Sequence, residues 1–108
     1  MTRETFYSGK TLAVEEWWIH EPDLPERLTW GRRRVFADGT ADACFEGSST
    51  LYGFADPNSA AYILGEDEFV RFPPDAVDED IATRDWSNVK PPQWSDSLFP
   101  TFEYLMTY

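Results

Sequence analysis

With 108 residues, 42% of them hydrophobic and 17% aromatic, the chain is long enough for a single globular domain (1–108) and too short for two cores. A formal net charge of −11 argues against direct nucleic-acid binding, which needs a basic face. Residues 1–54 hold 9 acidic and 6 basic side chains, whereas residues 55–108 hold 11 and 3, so the second half carries most of the negative charge.

The start, MTRETFYSGKTLAVEE, has no apolar stretch of signal-peptide type, and no segment approaches membrane-spanning length. With a single cysteine, Cys44, no internal disulfide is available, and a cytoplasmic, membrane-free protein is expected. Gly9-Lys10-Thr11 resembles the end of a phosphate-binding loop, but Glu4 stands where its first glycine must be. Residues 11–20 fit two periods. Ala13, Val14, Trp17 and Trp18 suit a helical face, while the tail WWIH favours a strand, which is the expectation taken here. Pro22 and Pro25 then mark a loop.

Residues 30–47 place three arginines in succession, Arg32, Arg33 and Arg34, inside an acidic chain. Asp38-Gly39 signals a two-residue turn, so a hairpin of strands 30–37 and 40–46 is expected. Counting outward from that turn sets Phe36 against Ala41. Trp30, Phe36, Ala41, Ala43 and Phe45 then share one face; Arg33, Val35, Asp42, Cys44 and Glu46 share the other. Asp42 and Glu46 fall diagonal to Arg33. Arg32 and Arg34 land on the more apolar face, which requires either a position at its rim or a bulge near Gly31. Alternation splits the arginines between faces, so they make no compact basic patch.

Residues 49–54 read as a further strand. DPNSAAYILG (56–65) reads as a helix, with Asp56 as N-cap, Pro57 in the first turn and Gly65 as the left-handed terminator. Residues 68–72 resume as a strand ended by Pro73-Pro74. Residues 73–100 are rich in proline and acids and read as a long irregular segment anchored by Trp86, Val89, Trp94, Leu98 and Phe99. Partial alternation of Phe102, Tyr104, Met106 and Tyr108 suggests a last strand, whose exposed edge would be a route to a homodimer. The fold class is therefore α+β: a small antiparallel meander packed with one short helix.

Catalysis has little support. His20 is the sole histidine, no serine lies in a nucleophile elbow, and no carboxylate spacing singles out an acid and a base. His20 and Cys44 are too few for a zinc site, and DAVDED lacks the alternating ligands of a calcium loop, so no metal or cofactor is expected. The leading expectation is a non-catalytic interaction module in which Glu66, Asp67, Glu68, Asp75, Asp78, Glu79 and Asp80 meet a basic protein partner. A small inhibitor, an immunity-type protein or a nucleic-acid mimic would have this composition. The alternative is a small-ligand or carbohydrate-binding domain using Trp86 or Trp94, each beside Asp and Ser.

Overall fold

The computed structural model describes residues 1–24, 26–74 and 86–105. Six strands form one mixed sheet: β1 (Leu12–His20), β2 (Trp30–Phe36), β3 (Ala41–Phe45), β4 (Thr50–Phe54), β5 (Phe69–Arg71) and β6 (Thr101–Leu105), in the spatial order β5-β1-β2-β3-β4-β6. Neighbours pair antiparallel except β4 with β6, which run parallel. The expected antiparallel meander is thus corrected at one edge. The chain from β4 to β6 passes through a helix, an edge strand at the far side and a long segment, and it returns in the same direction as β4. Among the described residues, no helix is long and apolar enough to cross a membrane.

Among the described residues, two α-helices lie on opposite faces. α2 (Pro57–Glu66) starts where the sequence indicates: the Asp56 carboxylate accepts from the Asn58 amide at 2.6 Å and Pro57 opens the first turn. Ala60, Ile63 and Leu64 of α2 bury against Trp18, Ala41, Ala43, Phe54 and Phe69 of the sheet. Five-residue α1 (Arg3–Tyr7) escapes the sequence reading because one turn carries no period to detect. It packs on the other face, where Cys44, Leu51 and Phe99 form a second core with Tyr7, Trp94 and Phe102 against it.

The hairpin β2–β3 differs from its expected register by one residue. Arg34 faces Asp42 and Val35 faces Ala41, because the loop is the three residues Ala37–Gly39 and not Asp38-Gly39 alone. The Phe36 amide donates to the Thr40 carbonyl at 2.9 Å and the Gly39 amide to the Phe36 carbonyl at 3.0 Å, with Gly39 at φ +88°. This is the longer hairpin solution in which the glycine takes the left-handed position. Asp38 stabilises it by accepting from Lys10 Nζ at 2.7 Å and from the Thr40 amide at 3.0 Å.

A slip of one exchanges every side chain of β3 between faces. Ala41, Ala43 and Phe45 therefore join Val35 and Arg33 beneath α2, and Asp42 joins Arg32 and Arg34 on the α1 side. Arg33 pairs not with Asp42 or Glu46 but with Glu16 of β1, at 2.7 Å, and donates to the Pro57 carbonyl at 2.8 Å. No bulge occurs near Gly31. The irregularity lies in β1 between Leu12 and Val14. Arg32 is not at a rim either, being 1% exposed.

Candidate functional site

α2 ends on the acidic run. Glu66 closes the helix, and Asp67 and Glu68 lead into β5; all three are exposed. Two features make this an unfavourable place for acids. The carbonyl end of a helix is its negative pole, so carboxylates there are repelled by about 0.3–1 kcal/mol each. In addition, the left-handed residue is Glu68, at φ +66°, and not Gly65, which remains inside the helix. A non-glycine side chain in that conformation costs about 1–2 kcal/mol. Glu68→Gly is accordingly expected to stabilise the fold by about 0.5–1 kcal/mol after glycine's own entropic cost. Urea unfolding of the two chains would show it, and an equal or lower midpoint would mean that the Glu68 side chain itself supports the turn.

Beside this run lies an open cleft of about 480 Å³ lined by His20, Asp23, Arg27, Thr29, Phe45, Glu46, Asp67 and Phe69. His20 ends β1, and its ring rests on Phe69 with centroids 5.1 Å apart. Glu21–Asp23 turn in one 3-10 coil, which brings Asp23 Oδ2 to 3.2 Å from His20 Nδ1. Thr29 donates its hydroxyl to the same oxygen at 2.6 Å. The Thr29 hydrogen bond, reinforced by His20 and Arg27, holds the Asp23 carboxyl below its ordinary value. Arg27 reaches Glu46 at 3.6 Å, an exposed pair of little energetic weight. Three carboxylates against one arginine leave the cleft acidic, and Phe45 and Phe69 give it an apolar side.

The cleft brings Asp67 together with Asp23 and Glu46, which sequence reasoning did not single out. Asp23 and Glu46 lie in separate loops and ends that only the fold joins. Asp75, Asp78, Glu79 and Asp80 lie outside the described residues. His20 and Cys44 sit on opposite faces of the sheet. Cys44 is fully buried, and burial pushes its thiol up to about 12, so it remains a small core residue. No group of three or more His, Cys, Asp or Glu among the described residues is arranged to hold a metal ion.

The two tryptophans of the alternative reading are both half-buried. Trp86 packs edge-on against Phe72 at 5.8 Å, and Trp94 lies between Trp17 at 5.1 Å and Phe99 at 5.2 Å. Together with the Trp17–Trp30 and Trp30–Phe72 contacts at 6.1 and 5.0 Å, they form an aromatic row across the α1 side of the sheet.

That same side holds a cluster of Arg32, Arg34, Asp42 and Asp96. Asp42, with no exposure, accepts from the Tyr7 hydroxyl at 2.5 Å and from Arg34 Nη2 at 2.5 Å. Burial, and then the adjacent carboxylate, push the Tyr7 phenol far above its ordinary value, which keeps it a donor. Burial alone would lower the Arg34 value, but its bonds to Asp42 outweigh this and raise it. Arg32 donates from Nη1 to the Trp94 carbonyl at 3.0 Å and lies 3.6 Å from Asp96 Oδ1, which is also 3.2 Å from Arg34. The three arginines thus serve the sheet and the segment laid over it. Comparison of the chain with protein-family models, with curated proteins and with solved structures finds no match.

Proposed function

We propose that the chain is a non-catalytic acidic interaction module that binds a basic protein, of the inhibitor, immunity-protein or nucleic-acid-mimic kind, in a cytoplasmic setting. The observation that carries this reading is the exposed run Glu66-Asp67-Glu68, placed where the helix pole repels it and where Glu68 adopts a conformation better suited to glycine. Neither the helix pole nor a left-handed backbone favours acids, and a surface that gives up stability for charge is what a binding role would select. The acidic cleft beside Asp67 extends the same surface, and the net charge of −11 would draw a cationic partner from a distance. Asp75, Asp78, Glu79 and Asp80 belong to the proposed surface by sequence.

The sugar-platform reading of Trp86 and Trp94 has weaker support. A sugar stacks on a flat aromatic face, and both indoles use part of their surface on edge-to-face ring neighbours.

The decisive experiment compares capture by the wild-type chain and by Glu66→Lys/Asp67→Lys, each at low and high salt. The expected partner is basic, is released by salt, and associates at least about tenfold more slowly with the charge-reversed chain. A partner held equally by both chains and indifferent to salt would overturn the reading.

A further inference from the structure

We propose that Arg32 and Arg34 form a carboxylate-binding site on the sheet face opposite α2, and that the Asp96 side chain occupies it as an internal stand-in. The starting observation is a deficit. Arg32 is 1% exposed, yet its Nε and Nη2 have no hydrogen-bond acceptor. Nη1 alone is satisfied, by the Trp94 carbonyl, and Asp96 stays at 3.6 Å from Nη2, beyond an N–H···O bond. A buried cation with idle donors is costly, and an apolar side chain of similar length would avoid that cost. Arg34, two residues away on the same face, gives Nε and Nη2 to Asp42 and also lies 3.2 Å from Asp96 Oδ1.

The missing acceptor can be described. A guanidinium fork matches the two oxygens of a carboxylate, which would reach the idle donors together. Two arginines face Asp42 and Asp96, so moving Asp96 aside leaves a single positive charge and suits a monoanion over a phosphate dianion. Trp17 stands opposite Arg32 on β1, with Trp94 against it, so the body of the acid would meet indole rings. The ligand class is a small organic acid with an aromatic or apolar body.

Asp96 is suited to yield. Its side chain is 44% exposed, and it starts a single 3-10 turn whose Ser97 and Leu98 are exposed and whose residues pair with no strand. Swinging it outward breaks one ion pair from each arginine and no sheet bond. While it stays, it competes with any external acid, and the apparent affinity falls by the fraction of molecules in which it is displaced. The site lies on the other face from Glu66, Asp67 and Glu68, so it neither needs nor weakens the interaction reading.

Benzoate is the probe, with benzamide as the uncharged control of the same shape. Titrations followed by tryptophan fluorescence and by indole NH shifts should show Asp96→Ala binding benzoate at least about tenfold more tightly than wild type. The Trp17 and Trp94 resonances should move, and benzamide should have no effect. Adding Arg32→Lys, which keeps the charge but removes the fork, should abolish the gain. Should that double variant not fold, the benzoate and benzamide arms on Asp96→Ala alone decide the matter. Equal affinity in wild type and Asp96→Ala, no saturable binding, or an equal response to benzamide would overturn the proposal and leave Asp96 as a structural ion-pair partner only.

Discussion

Asp42→Ala is expected to lower the unfolding free energy by about 3–5 kcal/mol, a large share of what a domain of this size possesses. The carboxylate lies in the centre of the sheet with no exposure, between the Arg34 guanidinium and the Tyr7 hydroxyl. Removing it costs more than the lost contacts. Arg34, whose side chain is 14% exposed, would keep its charge in a poorly solvated place with only Asp96 at 3.2 Å to answer it. Tyr7 would keep a buried hydroxyl without its acceptor. Asp42→Asn retains an acceptor for Tyr7 but not the charge, so its cost should fall between those of Asp42→Ala and Tyr7→Phe, the last being about 1 kcal/mol. Urea denaturation of the three variants measures the order directly. A loss below about 1 kcal/mol for Asp42→Ala would show that Asp96 moves in to neutralise Arg34 by itself.

That prediction depends on a register that local sequence signals misplace. Asp-Gly is the strongest short hairpin signal, and it points to a two-residue loop. The structure spends Ala37 as well, and the reason is not local. The longer loop turns Asp42 toward Arg34 and turns three apolar residues, Ala41, Ala43 and Phe45, toward α2. Core packing and ion pairing over the whole sheet thus outweigh the dipeptide preference, which is worth a fraction of either. Strands with strong β composition, such as WWIH and TLYGF, and the Asp56-Pro57 start of α2, were legible because their causes lie within a few residues. The parallel pairing of β4 and β6 was not legible, because β6 can be placed only once the intervening segment has a path. The acidic run was legible as composition. The positive φ of Glu68 and the cleft at Asp67 leave no mark in the sequence. The idle donors of Arg32 belong to the same class, since burial of one arginine among three is decided by which strands flank it.

Gly53→Val is expected to destabilise the chain by about 2–3 kcal/mol, although valine is the better strand former. Gly53 lies in β4, paired with Asp42 on one side and Tyr104 on the other. A Cβ there would come within 3.0 Å of Phe102 Cζ and 3.1 Å of Phe6 Cε2. Phe6 is 3% exposed and is ringed by Tyr7, Phe36, Phe102 and Tyr104 at 4.8–6.4 Å, with Lys10 Nζ 4.4 Å from its centroid. It is the anchor of α1, a helix too short to persist without docking. Further ties of α1 to the sheet and the segment before β6 are the Tyr7 hydroxyl on Asp42 and the bonds from Arg3 to the Phe99 and Thr101 carbonyls. Gly53→Ala should cost about 1 kcal/mol, since the rings need give only a few tenths of an ångström, whereas the branched valine must expel one of them. Faster amide exchange over residues 3–7 would identify α1 as the element that lifts. Its departure also carries Tyr7 away from Asp42, so the two sites are coupled. Tyr7→Phe should therefore cost about 1 kcal/mol in the wild type and close to nothing in Gly53→Val. Additive costs would mean that the rings rearrange in place while α1 stays docked.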